Sequence, residues 1–316
     1  MPFPIEDKLV IAVSSSALFD LSESDQVFRE QGPAAYKQFQ EQNLNKVLKR
    51  GVAFPFIRRF LSFNQRFPTE QPVEVVLLSR NSPATGKRVF RSIEHYGLGI
   101  SRAAFVSGAS PFSYIPAFNA SLFLSGNETD VRSAVVASYP AGLVLPSKVK
   151  DDSSDSELRI AFDFDGVLAD DESEAVFKAD GLEKFQEYEQ QNQNRVHNPG
   201  PLADLFRKLA ALQALEEAEL SKDPNYERVL RTSIITARSA PTHERVITTL
   251  ESWGVSPNET FFLGGMDKSR ILDIFRPHLF FDDQTSHLNA RNLAMVHVPF
   301  GVANAAGNSV PQAEDV

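Results

Sequence analysis

Asp163 and Asp165 stand two positions apart at the end of the strand-like run LRIAFDFD (158–165), and Gly166 follows them. Carboxylates this close repel unless a cation lies between them. Mg²⁺ takes oxygen ligands and usually keeps several waters, so it suits such a pair. If the run is a buried strand, the pair sits at its carboxyl end, where open α/β sheets bind ligands. The competing reading is an Asp-rich turn that only caps backbone groups.

Three further strand-like runs end in residues able to do chemistry. RTSIITA (231–237) brings Thr236 to its end. Its hydroxyl, with the backbone N–H groups of Ala237 and Arg238 in the following turn, can hold a phosphate oxygen; a helix N-cap is the alternative. TFFLG (260–264) is followed by Lys268, a point charge able to neutralise a phosphoryl group or simply a solvated lysine. HLFFDD (278–283) ends in Asp282 and Asp283, either metal ligands, groups orienting a ligand, or caps of the next helix.

The elements that must position these residues follow from hydrophobic patterning. LVIAVS (9–14), VEVVLLS (73–79), AAFVS (103–107) and SLFLS (121–125) also read as buried strands. Between the strands lie helical patterns such as Pro83–His95, Leu202–Leu220 and Pro241–Trp253. Strands alternating with helices predict an α/β fold with a mainly parallel sheet. The polar stretch PSKVKDDSSDSE (146–157) reads as a linker, and the tail 302–316 as disordered.

The linker nearly halves the chain, and the halves repeat one another. Leu9 to Asn64 runs without a gap against Leu158 to Gln213, with identities at Ile11/Ile160, Phe28/Phe177, Gly32/Gly181 and Gly51/Gly200. A second block sets Arg88 on Arg245, Gly97 on Gly254, and LFLSG (122–126) on LFFDD (279–283). The chain therefore reads as two copies of one α/β unit, 1–145 and 158–301. Residues shared by both copies serve the fold, whereas residues confined to one are candidates for chemistry. Ser14, Ser16, Pro111, Ser125 and Gly126 replace Asp163, Asp165, Lys268, Asp282 and Asp283, while Ser79 keeps a hydroxyl opposite Thr236. The first copy is thus expected to be non-catalytic. Lys178, Arg195 and His197 are possible substrate contacts, but Arg29 and Lys46 match the first two, so a structural role is as well supported.

Composition narrows the class. The 316 residues carry a formal net charge of −9, which disfavours a binder of nucleic-acid polymers. No cysteine is present, so disulfides and thiolate metal sites are excluded. The N-terminal MPFPIEDKLVIAV lacks the basic region of a signal peptide, and no apolar run approaches the roughly 18 residues of a membrane span. A cytoplasmic location is the expectation.

The four strand-end features of the second half resemble the motifs of the haloacid dehalogenase superfamily. That resemblance implies a Rossmann-like core with a small helical cap, here around 170–228. It implies Asp163 as nucleophile forming an aspartyl-phosphate, Asp165 as general acid and then base, and Thr236 and Lys268 as phosphoryl ligands. Mg²⁺ would be held by Asp163, the Asp165 carbonyl and either Asp282 or Asp283. A closer resemblance runs through GVAFPF (51–56), VVLLSRNSPATGKRVFRSIEHYGL (75–98), SGASPFSYIPAF (107–118), LRIAFDFDGVLADDESE (158–174), ITARSAP (235–241) and RPHLFFDDQ (276–284). On these residues the chain is similar to the cytosolic 5′-nucleotidase I family, which implies hydrolysis of nucleoside 5′-monophosphates. Members of that family have a small residue between the two motif aspartates. Phe164 stands there in this chain and is a candidate contact for the leaving group, so base preference does not transfer. The alternatives are a phosphatase or phosphotransferase for another small metabolite, and a non-catalytic nucleotide-binding protein.

Overall fold

The computed structural model describes residues 4–290 and 292–305. The chain forms two compact units, 1–158 and 159–316. The first contains β1 (Leu9–Val13), α1 (Ser15–Leu18), β2 (Phe19–Asp20), α2 (Ser22–Gln42), β3 (Lys49–Arg50), α3 (Phe54–Arg66), β4 (Val73–Ser79), α4 (Pro83–His95), β5 (Arg102–Phe105), β6 (Ala120–Ser125), α5 (Glu128–Val136) and β7 (Ala141–Val144). The second contains β8 (Leu158–Phe162), α6 (Glu172–Gln191), α7 (Ala203–Lys222), β9 (Leu230–Thr236), α8 (His243–Trp253), β10 (Glu259–Phe262), α9 (Ser269–Phe275), β11 (Leu279–Asp282) and β12 (Met295–His297).

The order in the first unit is β5-β4-β1-β6-β7, and in the second β10-β9-β8-β11-β12. These are the same order when each unit's strands are counted along the chain. The ladders are parallel where β1 lies between β4 and β6 and where β11 lies between β8 and β12. Burial explains the sequence pattern. The central strands β1, β4, β6 and β11 are buried throughout, hence their continuous apolar runs, whereas β5 and β10 at the edges are only half-buried.

Local signals set the helix ends. Ser82 caps α4 in a capping box with Thr85, and Pro83 stands in its first turn, where the missing N–H is no loss. α8 stops at Gly254, whose φ of +66° is the left-handed cap that glycine adopts without strain. α2 and α6 each break at a glycine: Gly32 has φ 80° and ψ −177°, and the matching Gly181 has φ 80° and ψ −176°.

The expected strands and helices form, with shifts of one to three residues at their ends; the largest is in β8, which stops at Phe162 because the chain turns at Asp163 rather than running extended to Asp165. β7 and β12 were not anticipated, being short apolar segments without clear alternation. Within 170–228, α7 buries Leu205, Phe206, Leu209 and Leu212, and the Phe206 ring meets Phe162 edge-on at 5.4 Å. α7 is therefore a layer of the core. The expectation of disorder from residue 302 is corrected at its start. Val302–Asn304 form a 3₁₀ turn; the Val302 N–H donates to Asp171 Oδ2 at 2.7 Å, and Asn304 Nδ2 donates to the Asp283 carbonyl at 2.9 Å. Residues 306–316 lie outside the described residues. No helix among the described residues is long and apolar enough to cross a membrane.

Candidate active site

Three strand ends and one helix start bring the expected residues together. β8 delivers Asp163 just past its end, and the Asp163 N–H donates to the Phe281 carbonyl of β11 at 2.8 Å. Its Oδ1 accepts the Phe164 N–H at 2.7 Å, which turns Oδ2 toward Lys268 Nζ at 2.6 Å. Lys268 stands at the start of α9, and its ammonium also meets Asp282 Oδ2 at 2.7 Å. Lys268 thus bridges the proposed nucleophile and the last residue of β11. All three side chains are almost fully buried.

Burial decides the charges. It pushes the Asp163 carboxyl up; Lys268 opposes this, Asp282 adds to it, and the group comes to about 7. Asp282 is also pushed up by burial, but Lys268 and His287 outweigh that and hold it below the usual range. Asp283 has no neighbouring cation strong enough. Burial first, then Asp163, Glu174 and Asp282, push it up to about 10.

Among the described residues, Asp170, Glu172 and His197 could also gather a cation, but at the strand ends a cation has two candidate places. Asp163, Asp282 and His287 each offer a ligand atom within 4.8 Å of the others. There, however, the Lys268 ammonium already lies between the two carboxylates, and His287 Nδ1 meets both Asp282 oxygens at 3.1 Å. The second place is beside Asp283. Both its carboxylate oxygens and Glu174 Oε2 are buried without a hydrogen-bond partner. Buried carboxylate oxygens without donors are strongly unfavourable, and a hard divalent cation satisfies them. The donor set therefore fits such an ion, and fits it better at Asp283 than at Asp282. Gly166 makes the room: a Cβ on it would lie 2.6 Å from the Asp283 carboxylate, and its φ is +71°. Asp283 is also held from behind, because its carbonyl meets His297 Nε2 at 3.1 Å in addition to Asn304.

Asp165 faces a different neighbour. Arg238 grips it with two bonds, Nε to Oδ2 at 2.8 Å and Nη2 to Oδ1 at 2.7 Å. Burial raises the Asp165 carboxyl, but the guanidinium more than offsets this and holds it below the usual carboxylate range. Arg238 Nη1 is held by Glu189 and the Thr242 carbonyl. Glu189 is held in turn by Arg245 Nη1 at 2.8 Å and the Ser173 hydroxyl at 2.8 Å.

The other expected residues divide. Thr236 is buried at the end of β9, and its hydroxyl accepts the Arg238 N–H at 3.3 Å. Ala237 is exposed beside it. The Phe164 ring is fully buried, edge-on to His197 at 5.3 Å and beneath the Arg238 guanidinium at 5.6 Å, so it packs rather than lining open space. Lys178 pairs with Glu174 at 3.1 Å and Arg195 with Glu172 at 2.9 Å. Sequence reasoning missed Glu174, Glu189, His287, His297 and Asn304. Glu189 was findable, because the first copy has Gln40 at its place while both copies keep the arginine that binds it. Asn304 was hidden by the polar look of the tail.

The family model described as 5′-nucleotidase matches residues 1–305. The chain is 34% identical over 295 residues to human cytosolic 5′-nucleotidase 1B, an alignment covering 91% of this chain and 48% of that one. The chain thus spans about half the length of that curated relative. No solved structure matches.

Proposed function

Because this chain belongs to the 5′-nucleotidase family, we propose that its second unit hydrolyses nucleoside 5′-monophosphates to nucleoside and phosphate. The observation that carries this reading is the buried Asp163–Lys268–Asp282 chain beside the partnerless Asp283 carboxylate. It supplies a nucleophile, a cation for the transferring group and a place for a metal.

In the proposed reaction Asp163 attacks phosphorus and the bond to the ester oxygen breaks. Asp165 gives its proton to the departing nucleoside oxygen, leaving an aspartyl-phosphate on Asp163. Water then attacks that phosphorus, Asp165 takes the water proton, and Asp163 is released as carboxylate with phosphate. Arg238 favours the Asp165 carboxylate between turnovers, so the proton given in the first step arrives with the phosphomonoester and the proton taken from water leaves with the phosphate. Splitting the displacement in two lowers each barrier. Each Asp165 oxygen accepts one bond from Arg238 and keeps a second lone pair for that proton. Lys268 neutralises charge on the phosphoryl group, and Thr236 with the following turn orients it. Mg²⁺, held by Asp163, the Asp165 carbonyl and Asp283, would supply further charge neutralisation at the phosphoryl oxygens. We place this activity in the cytosol, following the name of the human relative.

The test is phosphate release from nucleoside monophosphates and sugar phosphates, with Mg²⁺ or EDTA, by wild type and Asp163→Asn. Expected is Mg²⁺-dependent release from nucleotides that falls about 10³-fold or more in the variant. Release from sugar phosphates alone would keep the chemistry and overturn the substrate.

A further inference from the structure

The first unit has a cavity of ≈ 950 Å³ at the carboxyl ends of β1, β4 and β6. That is at the upper end of the roughly 300–1,000 Å³ range of small-molecule sites. It is also where an open parallel sheet binds ligands. The chain ran the same elements to the same place twice, and in this copy it removed every strand-end carboxylate.

What remains on the floor is a set of buried hydroxyls. Ser15 Oγ lies 2.9 Å from Ser79 Oγ and accepts from Asn81 Nδ2 at 3.2 Å, and Ser14 and Ser16 meet at 3.0 Å. Ser14, Ser15, Ser79 and Ser125 are all at most 6% exposed. Of the two acids in the lining, Asp130 is neutralised by two bonds from Arg80, at 2.9 and 2.6 Å, and Asp25 is pushed toward its neutral form by burial with the Arg29 charge opposing. Lys37 adds a further positive charge to the lining. This floor admits an anion without a metal, but it has no nucleophilic carboxylate.

A second observation concerns the wall. Phe28 and Tyr36 of α2 line the cavity and meet edge-on, at 5.7 Å and 86°. The matching Phe177 and Phe185 of α6 meet edge-on at 6.0 Å and 81°. Phe28 is 50% exposed and Phe177 47%. Although both copies share them, these phenylalanines are too exposed to serve the core, and each leaves a flat apolar face that a planar group could stack on. Tyr36 is fixed over the floor by its hydroxyl, which donates to Asn81 Oδ1 at 2.7 Å.

We propose that this cavity binds a nucleoside phosphate without hydrolysing it, the phosphate against the Ser14–Ser16 floor beside Arg29 and Lys37 and the base against Phe28. The ligand class rests on the activity proposed for the second unit; the cavity itself does not.

The test is calorimetric titration of the full chain carrying Asp163→Asn, in Mg²⁺, with adenosine, inosine, cytidine and uridine 5′-monophosphates. Phe28→Ala and Arg29→Glu are the probes, since both side chains are exposed and the fold does not depend on them. Expected is a class of nucleotide sites that each substitution weakens about tenfold, and that Phe177→Ala leaves intact. Ribose 5-phosphate and the free nucleosides should bind this class much more weakly. Nucleotide binding unmoved by Phe28→Ala and Arg29→Glu overturns the proposal, as does equal binding by nucleoside and nucleotide. Phosphate release by wild type is read separately: a Phe28-sensitive class without release overturns the activity alone, and release without that class overturns the site alone.

Discussion

At the residue scale, the two copies act as controls for one another. Asp283 is accompanied by Gly166, which leaves it room; the first copy has Gly126 and Ala17 at those places. Asp165, Arg238 and Glu189 are accompanied by one another; the first copy has Ser16, Asn81 and Gln40. A charged set was thus kept or neutralised as a unit, because a single buried charge left behind is strongly destabilising. Gly166→Ala should displace the Asp283 carboxylate and raise the Mg²⁺ concentration for half-maximal phosphate release about tenfold. An unchanged Mg²⁺ dependence would remove Asp283 as a ligand. Arg238→Lys keeps the charge but loses the two-pronged grip on Asp165. It should lower kcat about 10²-fold with KM nearly unchanged. A raised KM with kcat retained would instead make the Arg238 side chain a substrate contact.

At the element scale, α6, α8 and the segment before α7 are tied together by bonds that the first copy repeats. Arg245 Nε donates to the Arg195 carbonyl as Arg88 Nε does to Lys46, both at 2.9 Å. The His197 N–H meets Thr249 Oγ1 at 3.1 Å, as the Leu48 N–H meets Ser92 Oγ at 3.0 Å. His197 is the residue that differs: its ring nitrogens are buried without a hydrogen-bond partner. Burial and then Arg238 push its pKa down to about 3. An unfolded histidine titrates near pH 6.5, so the unfolded chain gains a proton there that the native chain refuses. Stability is therefore lost as pH falls from about 6.5 toward 3, by up to about 1.4 kcal/mol per pH unit. His197→Leu, the residue of the first copy, should flatten that limb in denaturant titrations. Superimposable pH profiles for the two proteins would show that His197 does not set it.

At the scale of the whole molecule, the stretch that joins the two units is anchored on the first. Asp151 meets Arg59 at 2.7 Å, Arg58 at 3.2 Å and Arg50 at 3.3 Å, and Arg59 Nη2 donates to the Asp152 carbonyl at 2.6 Å. Burial raises the Asp151 carboxyl, but Arg59 and Arg58 outweigh it and hold the group below its usual value. Its contribution is then present above the unfolded carboxylate pKa near 4 and is lost as pH falls through the lower folded value. Asp151→Asn should destabilise the first unit by about 3 kcal/mol at pH 7, with the difference shrinking in acid. Equal denaturation midpoints at pH 7 would show that the pairing adds nothing. The polar, Ser- and Asp-rich composition of 146–157 suggested a solvated linker, and it hid three arginines on α3 and β3 that fold back onto it.

The sequence by itself determined the alternation of strands and helices, the duplication, the strand-end positions of Asp163, Thr236 and Asp282–Asp283, and the place of Lys268 after the β10 run. Those follow from short-range rules: apolar runs form buried strands, their ends face one edge of a parallel sheet, and an ungapped register preserves both. Only the tertiary structure decided how the charges are shared. Lys268 takes Asp163 and Asp282, Arg238 takes Asp165, and Asp283 is left without a hydrogen-bond partner for its carboxylate. Those pairings join residues as many as 105 positions apart, from Asp163 to Lys268, and depend on ångström-scale geometry and burial that no local pattern encodes.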